Sequence, residues 1–600
     1  MPTVSDFIID RLIAWDLHRY YGFPGDGIGG FDGALGRAEK EGKDFVYIRP
    51  THEEMAAFMA TAHAKFTGEV GVCMATSGPG AAHLVNGLYD AKGDNQPVLA
   101  IVGQQARVAL GSDFQQELNL ERLFSDVAEF VETVTTPMQA QMVIDKAIRV
   151  ARAHRGPSVV ILPADVQNLE MEEPGPAHWV SRSGIGFASP RFVPTSDDLE
   201  RAAEVLNAGS KVALLVGQGA MDATDEVIAV AERLGAGIVT ALLGKAVVPA
   251  DVPFHTQQLG LLGSRPSYDM MQECDTLFMI GTNFPYGEFL PPTGQARAVQ
   301  LDMSPAHLGI RYPTEVNLWG DAGATLAALL PLLHQTEDLS WQQGIVEAMR
   351  AWDAETERVA MAEADPVNPR RVFHSLNAHL PERAIVTADA GSTADWYGHH
   401  IRLRRGQMGN LSGRLATMLA AMPYAMAAKF AHPDRPVVCT IGDGAFQMLG
   451  MNGLLTVKRH WHEWADPTFV VLVLHNDDLN QVSWEMREAG DPRWDTAQLV
   501  EPMDYAEYAR LLGFAAITVD HPDQIDAAWD RAFAADRPVL LDVHVDRNVP
   551  PLPAHISLEQ AKGVARAVLH GDPERGRVVV EGARAMAAEL FARVGPGHRG

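Results

Sequence analysis

The chain has 600 residues, 47% of them apolar and 21% charged, with 49 basic and 76 acidic side chains and a formal net charge of −27. That length is too great for one hydrophobic core and predicts about three or four domains. The acidic excess excludes a general nucleic-acid binder, whose affinity rests on Lys and Arg meeting phosphates, so any phosphate ligand must be held by backbone N–H groups or a bridging cation.

The opening stretch "MPTVSDFIIDRLIAWDLHRYYG" has no basic segment leading into an apolar one, and Asp6 and Asp10 interrupt it. It reads as an amphipathic helix rather than a secretory leader. No run of about 18 apolar residues occurs, and a cytoplasmic protein is expected. Cys73, Cys274 and Cys439 lie far apart without CxxC or Cys/His spacing, which predicts buried small side chains rather than a zinc site or a disulfide framework.

Short apolar runs ending in Gly, Pro, Asn or Asp recur in three groups. The first holds "FVYIRP" (45–50), "VGVCMATSGPG" (70–80), "PVLAIVGQ" (97–104) and "SVVILPAD" (158–165). The second holds "KVALLVGQG" (211–219), "GIVTALLG" (237–244), "TLFMIGTNFP" (276–285) and "AVQLDMSP" (298–305). The third holds "AIVTADAGS" (384–392), "PVVCTIGDG" (436–444), "FVVLVLHN" (469–476) and "PVLLDVHV" (538–545). Continuous apolar runs mark strands covered on both faces. Their alternation with helical periodicity predicts an α/β chain of three doubly wound parallel-sheet domains. Polar or charged connections set the boundaries at 1–170, 190–335 and 365–548, followed by a C-terminal tail over 549–600. No residue-level repeat relates the three.

Several motifs are decoys. Gly25, Gly27 and Gly30 satisfy GxGxxG, but Pro24 stands in the lead-in and no apolar strand precedes them. A flexible loop approaching a ligand is expected there, not a nicotinamide site. "HEEMA" (52–56) has Ala56 where a zinc protease needs its second His, "ATSGPG" is not a nucleophile elbow, and no GxxxxGK[ST] occurs.

In open parallel sheets, ligands bind beyond the carboxyl ends of strands. "VVCTIGDGAFQML" (437–449) puts Asp443 between Gly442 and Gly444 at such an end, where a carboxylate is costly unless a cation or donors meet it. The next strand ends in His475, Asn476, Asp477 and Asp478. Neighbouring strand ends would let Asp443 and Asn476 offer a carboxylate and an amide oxygen to one Mg²⁺, which completes its shell with waters and phosphate oxygens. Helix-like sequence from Ala445 onward adds N–H groups for the phosphates. The reading is a magnesium-bridged diphosphate.

"GDGAFQ…HNDDLNQ" resembles the thiamine diphosphate signature, a GDG followed at an interval by an Asn pair. Here the interval is 476 − 443 = 33 residues, and His475 replaces the first Asn of the pair. The resemblance implies that Gly442, Asp443, Gly444, Ala445 and Asn476 hold the diphosphate and Mg²⁺, with Asp478 giving the metal only its backbone carbonyl. In "YIRPTHEEMAAFMATAHAKFTG" it makes Glu53 the carboxyl that hydrogen-bonds the cofactor's aminopyrimidine ring and promotes loss of the thiazolium C2 proton. In "GSDFQQELNLERLFSDV" it places Phe114 and Gln115 beside the reacting carbon. In "GRLATMLAAMP" it makes Met418 the apolar prop of the bent cofactor, and the carbonyl of Ala416 the partner of its 4′-amino group. The three domains become pyrimidine-binding, central FAD-binding and diphosphate-binding.

The middle set distinguishes members of the family. "GLLGSRPS" with Gly260 and Gly263, "GTNFPYGEF" with Gly281, Thr282, Asn283, Phe284 and Pro285, and "VQLDMSP" with Asp302 resemble FAD-binding stretches of pyruvate oxidases and quinone-dependent pyruvate dehydrogenases. Asp302 suits a ribose hydroxyl pair. The resemblance implies oxidative decarboxylation of a 2-oxoacid, above all pyruvate, with electrons passing to FAD and then to quinone or oxygen, in a homodimer or homotetramer. Carboligation, as in acetolactate synthases, is one alternative; a non-catalytic cofactor-binding paralogue is another, and intact Glu53, Asp443 and Asn476 count against it. Asn480 and Gln481 stand where the quinone-dependent enzymes carry Gly and an aromatic, and line the site with amides.

In the tail, "PPLPAHISLEQAKGVARAVL" is similar to the post-catalytic segment of those enzymes. "GRVVVEGARAMAAELFARV" (576–594) then spaces Val578, Val579, Ala583, Met586, Leu590 and Val594 helically, with Arg577, Arg584 and Arg593 for anionic headgroups. Two readings stand for it: a helix docked on the protein's own surface or a frayed end, and peripheral contact with a quinone-bearing membrane surface.

Overall fold

The computed structural model describes residues 1–171, 181–188, 191–551 and 558–579. Three six-stranded parallel sheets, flanked by helices, organise them. The first contains β1 (Arg19–Gly22), β2 (Val46–Ile48), β3 (Gly71–Ala75), β4 (Val98–Gln104), β5 (Phe130–Thr133) and β6 (Pro157–Pro163) in the order β2-β1-β3-β4-β6-β5. The second contains β7 (Val212–Val216), β8 (Gly237–Thr240), β9 (His255–Gln258), β10 (Thr276–Ile280), β11 (Arg297–Asp302) and β12 (Val316–Trp319) in the order β12-β11-β10-β7-β8-β9. The third contains β13 (Ile385–Ala388), β14 (Met408–Asn410), β15 (Val437–Gly442), β16 (Phe469–His475), β17 (Ala515–Val519) and β18 (Val539–His544) in the order β14-β13-β15-β16-β18-β17. The α/β class and the three doubly wound sheets are as expected.

The continuous apolar runs are the strands buried along their whole length, such as β4, β6, β7, β10 and β16. The runs missed β1, β5, β9, β12, β14 and β17. All but β1 lie at a sheet edge, where only one side needs a partner and the strand can be short or alternating, as in the buried–exposed pattern of Val316–Trp319. The first and third sheets share one strand order although no residue repeat links them.

The chain divides into two compact units. One comprises Met1–Ser189, Leu411–Cys439 and Gln447–Phe469, and the other Pro190–Asn410, Thr440–Phe446 and Val470–Gly600. Each doubly wound sheet has a switch point, where the strand order reverses and a crevice opens at the carboxyl ends. It falls between β1 and β3 in the first sheet, β7 and β10 in the second, and β13 and β15 in the third.

The decoy glycines sit at the first of these crevices. A Cβ on Gly25 would lie 2.5 Å from Thr76 Cβ, and one on Gly27 2.2 Å from Ser77 Oγ. They are therefore explained by close packing of two turns rather than by flexibility. The amino-terminal helix, Val4–Ala14, is capped reciprocally by Thr3 and Asp6. The three cysteines are free and buried. Among the described residues no helix is long and apolar enough to cross a membrane. The expected tail helix lies outside the described residues beyond Val579; of its residues inside them, Arg577 pairs with Asp365 at 2.8 Å and Val578 is buried.

Candidate active site

β15 ends at Gly442, and the chain passes into a helical run through Asp443–Ala445, a π-helical turn over Phe446–Gly450 and the helix Met451–His460. Asp443 is 2% exposed. Its Oδ2 accepts the backbone N–H groups of Asn476 (2.8 Å) and Asp477 (2.7 Å), and its Oδ1 that of Gly444 (2.8 Å). Asp477 has a left-handed backbone, φ 54°, in the turn that brings two successive N–H groups to one oxygen. Burial outweighs these donors and pushes the Asp443 carboxyl up to about 6. A carboxylate so desolvated fits a small hard cation, and Asn476, whose backbone N–H it accepts, has its own amide oxygen on the Asp478 N–H at 3.0 Å.

The Asp478 side chain is committed elsewhere, to Ser483 Oγ (2.9 Å) and Arg493 Nε (3.1 Å), which leaves its backbone carbonyl as the group free to serve a metal. His475 lies between Asp542 (2.8 Å) and Asp477 (3.0 Å). Burial lowers its pKa, but the hydrogen bond to Asp542 and the charges of Asp542, Asp477 and Asp443 outweigh that and hold it raised. A cleft of about 570 Å³ opens here, bordered by His475, Asn476, Asp477, His544, Arg547 and Glu574. Across the switch point, Gly391 (φ 79°) begins the helix Ser392–His400, and a Cβ on Gly442 would lie 3.6 Å from Thr393 Oγ1.

In the first unit, Glu53 opens the helix Glu53–Thr67, capped by His52. Its carboxylate meets His83 Nδ1 at 3.1 Å, and the His83 ring lies 4.5 Å from that of His52. Gly80 keeps the space beside it open: a Cβ there would lie 3.4 Å from Glu53 Oε1 and 2.8 Å from Thr76 Cγ2. The segment with Ala416 and Met418 is pinned in the same unit by buried acids. Asp94 accepts the N–H groups of Gly413 (2.9 Å) and Arg414 (2.8 Å), and Asp90 accepts from Ser412 Oγ (2.7 Å) and Tyr424. Ala416 (φ 51°) and Leu419 (φ 75°) hold left-handed backbone on either side of Met418, a strain found where function over-determines the chain. Met418 is half-buried rather than a core residue. Phe114 is 53% exposed and Gln115 exposed, on a turn whose N–H groups at Gly111 and Phe114 are taken by Glu117.

At the second switch point, Gly217 donates to the Ile280 carbonyl (2.9 Å) and Gly219 to that of Gly281 (3.0 Å). A Cβ on Gly281 would lie 2.6 Å from Gly219 C, so the two turns touch through backbone alone. Thr282 and Phe284 are buried, Asn283 accepts from Arg311 Nε at 2.7 Å, and Pro285 follows in the same turn. At the end of β11, Asp302 accepts the Ser304 N–H at 2.8 Å. The turn with Gly260 (φ 104°) and Gly263 reaches the helix Ser392–His400, where a Cβ on Gly398 would lie 2.8 Å from Leu262 Cβ.

Three sequence profiles match: the N-terminal TPP binding domain of thiamine pyrophosphate enzymes over 2–123, their central domain over 199–329, and their C-terminal TPP binding domain over 389–543. The "Putative thiamine pyrophosphate-containing protein YdaP" of Bacillus subtilis is 33% identical over 98% of this chain and 99% of its own. The chain belongs to the thiamine pyrophosphate enzymes. Pyruvate oxidase of Lactiplantibacillus plantarum is 29% identical over 91% of this chain and 89% of its own. The acetolactate synthase isozyme 2 large subunit of Escherichia coli is 30% identical over 91% and 97%.

Within this thiamine pyrophosphate enzyme, sequence reasoning passed over His83, the pinning pair Asp90 and Asp94, and the glycines Gly217, Gly219 and Gly391. The glycines carried a signal, since each closes an apolar run already read as a strand. Asp90 and Asp94 carried none, because the segment they pin lies more than 300 positions away.

Proposed function

We propose that the chain catalyses the oxidative decarboxylation of a 2-oxoacid with thiamine diphosphate, Mg²⁺ and FAD, the electrons passing on to a quinone or oxygen. Pyruvate is the acid the pyruvate oxidase likeness points to. The observation that carries the reading is Asp443: a carboxylate buried at a switch point, bonded to the backbone of Asn476, at the start of a long helical run. When bound, thiamine diphosphate supplies the electron sink for the carbon that loses CO₂, Mg²⁺ ties the diphosphate to the protein, and FAD takes up two electrons.

The chain's own residues then have definite tasks. Asp443, Asn476 and the Asp478 carbonyl hold the metal, and the turn from Gly442 to Ala445 faces the phosphates. Glu53 holds the proton at ring N1′, with His83 orienting its carboxylate. Met418 supports the ring system, the Ala416 carbonyl receives its amino group, and Phe114 and Gln115 border the substrate. The sheet order β9-β8-β7-β10-β11-β12 is that of dinucleotide-binding folds. This supports FAD at the β7/β10 crevice, with Gly260, Gly263, Gly281, Thr282, Asn283, Phe284 and Pro285 along it and Asp302 on the ribose. The contact of Leu262 with Gly398 supports electron transfer, because the same helix begins beside Gly442. On this reading residues 1–170, 190–335 and 365–548 are the pyrimidine-binding, FAD-binding and diphosphate-binding domains, and the active unit is a homodimer or homotetramer.

Carboligation is the second reading, favoured by the likeness to acetolactate synthases. The test is CO₂ release from 2-oxoacids by the reconstituted protein. Release that requires added thiamine diphosphate and Mg²⁺ and is lost in Asp443→Ala supports decarboxylation; no release from any 2-oxoacid overturns it.

A further inference from the structure

The helices Ser392–His400 and Asn480–Ala489 approach each other at their amino ends, at the carboxyl ends of the third sheet's strands. A Cβ on Gly391 would lie 3.8 Å from Gln481 Cβ, and one helical turn further along each stand Asp395 and Glu485. The groups gathered there are mostly acceptors, and at two of them, Asp395 and Gln481 Oε1, no partner side chain stands among the described residues. Asp395 is only 7% exposed, and among the described residues no hydrogen bond or ion pair from another residue reaches its carboxyl. Gln481 spends its Nε2 on Glu485 Oε1 (3.1 Å), while its own Oε1 is buried without a partner. Glu488 follows one turn later, bonded to Gln560 at 2.9 Å. None of the ion pairs among the described residues involves Asp395, Glu485 or Glu488.

Burying an acceptor without a donor is unfavourable, and more so for a carboxylate. Burial, with Glu485 and Glu488 adding to it, pushes the Asp395 carboxyl well above the ordinary carboxylate range. Its own backbone N–H offsets this only in part, and among the described residues no cation pairs with it. Thr393, two residues before Asp395 on the same helix, faces Gly442 at the start of the diphosphate turn. The groups that converge closely enough to hold a metal ion among the described residues are His52–Glu53–His83, His475–Asp542–His544 and Asp443–His475–Asp477. Asp395, Glu485 and Glu488 are not such a set. Their spread over two helices suits an extended donor rather than a compact ion.

We infer that Asp395, Gln481 and Glu485 form a subsite for a cationic, multiply N–H-bearing group on the substrate, so that the preferred 2-oxoacid carries a guanidinium or ammonium side chain rather than a methyl group. This rests on the proposed 2-oxoacid decarboxylation and narrows its substrate class. A planar guanidinium offers five N–H donors to Asp395, Gln481 Oε1 and Glu485 together.

The test uses the holoenzyme and three acids: 2-oxo-5-guanidinopentanoate, its neutral isostere 2-oxo-5-ureidopentanoate, and pyruvate. A charge-assisted hydrogen bond contributes about 1.5–3 kcal/mol, so kcat/KM for the guanidino acid is expected to exceed that for the ureido acid by about tenfold or more. Asp395→Asn should remove most of that ratio and leave the ureido acid and pyruvate within a few-fold of wild type. If Asp395→Asn does not fold, Glu485→Gln on the exposed side of the pair carries the same comparison. Equal kcat/KM for guanidino and ureido acids, or a ratio unchanged in the folded variant, overturns the subsite while pyruvate turnover leaves the decarboxylase reading standing. No CO₂ from any of the three acids overturns both.

Discussion

Lys65 and Asp94 form an ion pair at 2.6 Å in which both side chains are fully buried, and the same carboxylate binds the backbone at Gly413 and Arg414. The pair thus ties the helix that begins at Glu53 to the segment that holds Met418.

Removing one member of a buried pair leaves the other charge without compensation, typically at a cost of about 3–5 kcal/mol. Asp94→Asn is therefore expected to lower stability by about that amount. The double variant Lys65→Met with Asp94→Asn should recover part of it, because no buried charge is then stranded. Denaturant midpoints of the two singles and the double measure the coupling; losses that simply add would show the pair to be independent.

Asp90 gives a pH signature of definite sign. Burial, opposed by Lys65 and reinforced by Asp94, pushes its carboxyl up to about 6. The folded chain then holds this proton more tightly than the unfolded one. The group's favourable contribution is complete below its unfolded pKa and is lost as pH rises through about 6. Asp90→Asn cannot titrate, so its stability relative to wild type should rise from about pH 4 to about pH 6 and level off above. A difference that stays flat over that window would contradict the raised carboxyl.

Glu53→Gln tests the proton role. The amide cannot supply an acidic proton to the ring, so turnover should fall by about 10²–10⁴ while thiamine diphosphate binding changes little. Activity within a few-fold of wild type would remove Glu53 from the chemistry.

Asp302→Ala tests the flavin site without touching the thiamine site. Loss of a charge-assisted contact to a ribose hydroxyl is expected to weaken FAD binding by about 10–100-fold, read as flavin released on gel filtration. Thiamine diphosphate binding should be retained. Full flavin retention would move the adenosine half away from β11.

What could be read from the sequence was local. Asp443 sits between two glycines at the end of an apolar strand, and that arrangement states its own electrostatic problem before any fold is known. The middle of each sheet was equally legible, because strands such as β4 and β16 are buried throughout and show as unbroken apolar runs. Edge strands such as β12 and β14 carry no such run. The pinning of 411–418 by Asp90 and Asp94 depends on tertiary placement alone, and so does the pairing of Glu53 with His83. Nothing in the sequence marks Asp395, one acid in the first turn of a helix; its burial in the fold sets it apart.

Anaerobic addition of the 2-oxoacid to the reconstituted flavoprotein tests the oxidative reading most directly. Bleaching of the yellow flavin, together with one CO₂ released for each flavin reduced, is the predicted result. CO₂ release with the flavin left fully oxidised, and a carboligated product in solution, would contradict oxidation and make the chain a ligase-type thiamine enzyme.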